Sequence, residues 1–424
     1  MWRSGEPSEC CCHARGMDLN EFPETLGARA PNGNDPRIDG LVPSLVLEPE
    51  DGAATAEALT LCHQESMGVI PIGGGTRLEL GNVPSRLDAY LMTSGLKGIE
   101  IDEHIPGDFT MAVRAGTTLG ETQRYLKEFR QYVPLDVPHP DEATIGGIFA
   151  LGEPGQRRRP GARPRDLLLG FEGVLADGTP FKAGGRVVKN VAGYELMKLF
   201  VGSAGTLAVM TRAFLRLRAL PEEVTTVVIQ ARRPRAVAAA WRELRNLPLA
   251  PEMAVALSPT YAESHGLHEW NLLLRFEGLH EETRGALHDV RQRFDAEVLP
   301  DDRNLWDAIR DFPKSDAALV LRGQAAPART IPLAESWQDG GALIAYPDTG
   351  IVYSQTTDPE ALSDRRARAE ENGAAVVIEK APLEMKRELD VYGETPGGYE
   401  IMRRIKEKLD PKNILSPGRF VGKI

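Results

Sequence analysis

The chain has 424 residues, enough at about 100 to 200 residues per domain for two or three domains and a sizeable core. Hydrophobic residues make up 42 % of it, or about 50 % with Gly counted in place of Tyr, which excludes disorder as the dominant state. The 50 Lys and Arg against 61 Asp and Glu leave a formal charge of −11, which argues against a nucleic-acid partner held by phosphate neutralisation. No apolar run reaches the ~18 residues of a bilayer span, and the N-terminus lacks a basic-then-apolar signal. A soluble, cytoplasmic chain with no direct membrane insertion is expected.

Residues 1–42 predict a partly disordered arm, because 26–40 are rich in Gly, Pro, Asn and Asp. Within it Cys10, Cys11 and Cys12 are adjacent while Cys62 stands apart, a spacing that fits neither a zinc site nor a disulfide framework. Met17 reads as an alternative start. Order is expected from Pro43. Ser44 to Leu47 predicts a strand, and Asp51 to Ser66 a helix with Ala54, Ala58, Leu61 and Cys62 at helical spacing and Gly68 ending it. Val69 to Ile72 predicts a second strand, completing a parallel crossover. Strands follow at Ala89–Met92, Gly98–Ile101 and Thr110–Arg114. Thr118 and Glu121 form a capping box for a helix burying Leu119, Leu126 and Phe129. The mixture predicts an α+β fold. A Gly- and Arg-rich middle, 145–205, gives way after a boundary near Leu220 to amphipathic segments such as Ala236–Arg245 and Glu281–Phe294. The expected units are 43–220, a smaller α+β domain over 221–397, and a helix with a short tail over 398–424.

The second strand runs into Gly73-Gly74-Gly75-Thr76, where glycines let backbone N–H groups approach a phosphate. The Rossmann pattern fails, since the third glycine position falls on Leu78, and no Walker motif occurs. Alone, a triple glycine is explained equally well as a tight turn. Ala143-Thr144-Ile145-Gly146-Gly147 and Gly202-Ser203-Ala204-Gly205-Thr206-Leu207 supply two further backbone-exposing loops, and three in one domain are hard to explain as turns.

In order and spacing, these loops resemble the FAD-binding domain of the vanillyl-alcohol oxidase and p-cresol methylhydroxylase family. Arg165-Asp166 with Gly170, Lys189 to Leu196 and Pro417-Gly418-Arg419 add to the likeness, which spans about residues 43–218 and the last fifteen. Arg186 to Tyr194, Arg163 to Asp166 and Leu305-Trp306 bring the chain closest to the smaller FAD-binding subunits of bacterial glycolate oxidases. The resemblance implies two α+β subdomains clasping FAD, a C-terminal domain capping the flavin, and partners in a larger FAD-binding subunit and an iron–sulfur subunit. By position, Ile72, Gly73, Gly74, Gly75 and Thr76 would hold the pyrophosphate. Thr144, Ile145, Gly146 and Gly147 would run along pyrophosphate and isoalloxazine, and Leu207 and Val209 would flank the adenine end. Arg419 would be a cation near the ring or a surface ion pair. The first loop has no His or Cys, which implies non-covalent FAD.

The sequence departs from the family at Gly152, Ala204 and Ser416, where Asn, an acid and Asn are usual, so three side-chain contacts are expected to be missing. No His follows His288, and the His-containing metal and base motif of relatives that oxidise 2-hydroxy acids is absent. No metal site is expected and no catalytic residue is assigned. His265 with His268 is a weak metal pair better read as surface histidines. His139 could approach the flavin. Tyr194 and Lys189 could contact it or simply pack and solvate. Arg157-Arg158-Arg159 reads as a solvated face ahead of a carboxylate site, and Trp241, Trp270, Trp306 and Trp337 as core or interface anchors. Three readings stay open: an FAD subunit of a 2-hydroxy acid dehydrogenase complex, a self-sufficient FAD-dependent alcohol or hydroxy-acid dehydrogenase, and a non-catalytic assembly subunit.

Overall fold

A computed structural model describes residues 22–153, 155–157, 161–185, 194–245, 251–300 and 302–424. Its helices and strands mix as α+β. Ordered structure begins well before Pro43, correcting the expected arm. Leu26 and Ile38 are fully buried, Arg29 and Val46 exchange two backbone hydrogen bonds of 2.9 Å, and the Arg29 guanidinium forks onto Asp35. Each of the two isolated apolar side chains fills a core position, a burial that average composition does not reveal.

Strand β1 (Leu45–Leu47), helix α1 (Gly52–Gln64) and strand β2 (Val69–Ile72) make the expected crossover, but β3 (Ala89–Met92) lies between the two strands and pairs in parallel with both. The Asp51 carboxylate caps α1 by accepting from the Ala54 N–H at 2.8 Å. Ser66, at φ 55°, takes the left-handed position after the helix, in place of the expected Gly68. Leu415, from the far end of the chain, pairs in parallel with Val69 on the outer side of β2.

Next come β4 (Ile99–Ile105), β5 (Thr110–Arg114), β6 (Gln131–Tyr132), β7 (Leu168–Val174), β8 (Pro180–Gly184), β9 (Val209–Arg216) and β10 (Arg218–Ala219). Five of them form an antiparallel sheet in the order β4-β5-β9-β7-β8, while β6 pairs with β10. Helices α2 (Leu119–Lys127) and α3 (Ile145–Leu151) bury Leu119, Leu126, Ile145, Ile148 and Phe149 in its core. Thr118 caps α2 through the Glu121 N–H. Phe129 is not part of that core: it is 41 % exposed and meets the His104 ring edge-on at 4.5 Å.

The rest of the chain builds one eight-stranded antiparallel sheet from β11 (Glu223–Ala231), β12 (Met253–Leu257), β13 (Trp270–Gly278), β14 (Ala296–Leu299), β15 (Leu319–Gln324), β16 (Ala342–Tyr346), β17 (Ile351–Thr356) and β18 (Ala375–Lys380). Side chains alternate across a strand, so its two faces feed two cores. Trp270, Leu272, Leu274 and Phe276 join a core that also takes Trp337, whereas Leu273, Val255 and Met253 pack with Trp306 and Ile309 on the other face. The Trp306 indole N–H donates to Thr226 Oγ1 at 2.9 Å, and the half-buried Trp241 donates to the Pro347 carbonyl at 3.1 Å.

Arg157 overturns the solvated-face expectation. Its side chain is only 11 % exposed, forks onto Glu277 at 2.7 and 2.9 Å and stands over the Tyr132 ring, tying the antiparallel sheet region to the C-terminal sheet. Arg158 and Arg159 lie outside the described residues. Among the described residues, no helix is long and apolar enough to cross a membrane.

Candidate functional site

Three loops converge on a cleft with an empty space of ≈ 1290 Å³, its open mouth included. The first leaves β2 at Gly73, the second leads into α3, and the third, 202–207, precedes β9. The glycines of the first loop act differently from the simple expectation. A Cβ on Gly73 would lie 2.1 Å from Thr144 Oγ1, and one on Gly74 would lie 1.8 Å from the Glu142 carbonyl oxygen. These two glycines therefore let the first two loops press together, which aims the backbone that follows into the cleft. Among the described residues, the N–H groups of Gly74, Gly75 and Thr76 have no protein acceptor. A short row of unpaired amides at a strand end is the donor set that suits a phosphate group, so the residues present fit a dinucleotide.

Of the residues singled out by sequence, Thr76, Thr144, Gly146, Gly147, Val209 and Arg419 line the cleft. Ile72, Ile145 and Leu207 are buried behind it, as support for the loops. Gly73 and Gly74 sit at the loop–loop contact, and Gly75 turns the chain at φ 70°. The cleft is bedded on Phe171, Phe200, Ile148 and Met210, with the two phenylalanine rings edge-on at 5.2 Å.

Arg419 corrects one of the two readings offered for it, the surface ion pair. It is buried rather than a surface pair, and its guanidinium donates to the carbonyls of Leu78 at 2.9 Å, Leu80 at 2.5 Å and Asn82 at 3.1 Å, and to Asp39 at 3.2 Å. It is a clamp on the loop after the glycines. Burial lowers its pKa against the attraction of Asp39.

Sequence reasoning missed the charged group beside the cradle. Arg77 and Glu153 line the cleft, and Arg77 bridges Glu153 at 3.0 Å and Glu379 of β18. Glu379 also holds Arg322 of β15 at 2.6 Å. Burial opposes the charge on Glu379, but Arg77 and Arg322 outweigh it and keep the carboxyl below the ordinary glutamate range. Arg77 stands two residues past Gly75, a signal that was available; nothing local marks Glu379. Tyr392, equally unmarked, reaches the cleft from the C-terminal region, and burial pushes its phenol up to about 12, so it is a neutral hydrogen-bond donor.

Other candidates fall away from the cleft. Tyr194 is 93 % exposed, and residues 186–193, Lys189 included, lie outside the described residues. The His139 N–H donates to Asp311, and its side chain does not line the cleft. His265 packs on the Tyr261 ring, and among the described residues no group of three or more His, Cys, Asp or Glu could hold a metal. The three departures have a common backbone reason: Gly152, Ala204 and Ser416 have φ of 65°, 53° and 46°. Asn and Asp are the non-Gly residues best suited to that region, so these positions constrain conformation and this chain meets the constraint with other residues.

The comparisons agree with this geometry. Residues 43–184 match the family described as FAD binding domain, and residues 384–420 match FAD linked oxidases, C-terminal domain. A D-lactate dehydrogenase of Archaeoglobus fulgidus is 28 % identical across 96 % of each chain. Glycolate oxidase subunit GlcD of Bacillus subtilis is 32 % identical over 44 % of this chain and 39 % of that one, so the match spans well under half of that relative. Glycolate oxidase subunit GlcE of Escherichia coli is 26 % identical over 75 % of this chain and 84 % of that one. Substrate-bound p-cresol methylhydroxylase superposes with a TM-score of 0.67 at 16 % identity, over 89 % of this chain and 88 % of the other. With its glycine loops, unpaired amides and apolar bed, and an FAD binding domain matched over residues 43–184, the chain is an FAD-dependent oxidoreductase with the fold of p-cresol methylhydroxylase.

Proposed function

We propose that this chain is the FAD-holding subunit of a glycolate-oxidase-like complex that oxidises small 2-hydroxy acids, with a larger FAD-binding subunit and an iron–sulfur subunit as partners. The observation that carries this reading is the cleft floored by the three loops, in a chain that aligns with glycolate oxidase subunit GlcE over 75 % of its own length and 84 % of that subunit's. The amides of Gly74, Gly75 and Thr76 would bind the pyrophosphate, with the Thr144 to Gly147 backbone beside it. Leu207 and Val209 would flank the adenine end. Among the described residues no His or Cys lines the cleft, so the FAD would be held non-covalently. When bound, FAD supplies a two-electron acceptor. Tyr392 would donate a hydrogen bond to a ligand oxygen, and the aromatic bed would exclude water from one side.

A second reading, a self-sufficient D-lactate-type dehydrogenase, is favoured by the alignment with the archaeal enzyme over 96 % of both chains. An absorbance spectrum of the purified chain, followed by anaerobic glycolate and D-lactate, separates them. The subunit reading expects flavin bands that persist with the chain alone and bleach once the partner subunits are added. Bleaching of the isolated chain by either acid would sink it in favour of the second reading, and a chain without flavin bands would sink both.

A further inference from the structure

The loop after the glycine run, residues 76–82, follows Gly75 at φ 70° and contains Gly81 at φ 105°, both with left-handed backbone. Thr76, Arg77, Leu78 and Leu80 line the cleft. Groups between Lys314 and Arg419 hold the loop at Arg77, Leu78, Glu79, Leu80 and Asn82. Glu379 takes the Arg77 guanidinium. Lys314 and Lys380 meet the Glu79 carboxylate at 2.8 and 3.7 Å, and the buried Lys386 donates to the Glu79 carbonyl at 3.0 Å while paired with Asp39. Arg419 donates to the carbonyls of Leu78, Leu80 and Asn82. The Asn82 amide donates to Asp390 at 3.1 Å and accepts from the Val391 N–H at 2.8 Å.

We propose that Glu379, Lys386 and Arg419 are positioning residues for the FAD pyrophosphate: they fix loop 76–82 through its carbonyls and the Arg77 guanidinium, so that C-terminal domain docking and cofactor retention are one event. This rests on the reading that the Gly74–Thr76 amides hold the pyrophosphate. It follows physically because an amide cradle binds an anion only while its N–H groups are held convergent, and the three loops do not themselves grip residues 77–80. Fixing them by desolvated ion pairs makes the cradle sensitive to charge loss at a distance.

The test is the FAD release rate of the purified holoprotein, followed by recovery of free-flavin fluorescence after dilution. Glu379→Gln and Lys386→Met are each expected to speed release at least tenfold. Glu79→Gln, at a half-exposed position that tolerates the change, is expected to speed it about threefold. Arg365→Met serves as control, because Arg365 is fully buried against Asp339 within the C-terminal region and touches neither loop nor cleft; it is expected to lower the melting temperature and leave release unchanged. Release rates of all three loop variants equal to that of the parent protein would overturn the proposal, as would equal acceleration by Arg365→Met. If Glu379→Gln does not fold, Glu79→Gln decides by the same criterion. A parent protein that binds no FAD would instead defeat the cofactor assignment for the cradle, which is a different failure.

Discussion

At the scale of single residues, the cradle depends on atoms that are absent. Gly74→Ala would drive a Cβ to 1.8 Å from the Glu142 carbonyl oxygen, backbone against backbone, which no rotamer can relieve. The expected result is separation of the first two loops, a loss of about 3 kcal/mol and protein that purifies without flavin colour. Flavin content and the melting temperature check it; normal flavin content would mean that the loop contact is dispensable. Lys406 makes the opposite case, a buried cation whose three hydrogen bonds end on the Thr206 carbonyl, Asp410 and the Leu415 carbonyl at 2.9, 2.6 and 2.8 Å. Lys406→Met strands the Asp410 charge and is expected to destabilise by about 3–5 kcal/mol. Adding Asp410→Asn should restore part of that by removing the stranded charge, which denaturant titration of both variants would measure.

At the scale of elements, the sequence was legible where a local rule decides the outcome. The Thr118 cap, the strand–helix–strand at 45–72 and the glycine loops all follow from local spacing. The insertion of β3 between β1 and β2 was not legible, because strand order is set by which apolar edges meet in space. The charge group at Arg77, Glu153, Arg322 and Glu379 spans four distant segments, so no window of sequence contains it. Phe129 fits the helical spacing of α2, yet it lies past the helix end at Lys127 and packs on the His104 ring instead.

For the whole molecule, carboxylates between the two sheet regions predict the response to acid. Burial acts against the charges on Glu277 and Glu379, but their arginine partners prevail and hold both below the ordinary value, which is about 4.3 in an unfolded chain. Their contribution is present above that value and is lost as pH falls through the depressed folded values. Asp136 works the other way: burial raises its pKa despite Arg157 and Arg310, so protonation from above relieves a buried charge. The melting temperature is therefore expected to hold steady or rise slightly from pH 7 to about 5 and to drop below about pH 4. Calorimetry across that range checks the sign, and a steady decline beginning near neutrality would contradict it.

The pairing of Leu415 with Val69 also orders events in time. The small parallel sheet that launches the glycine loop receives its outer neighbour from a segment that leaves the ribosome after the large C-terminal sheet has been made. A nascent chain halted before residue 414 would carry every glycine of the cradle and still lack the segment that pairs with Val69 at the base of the first loop.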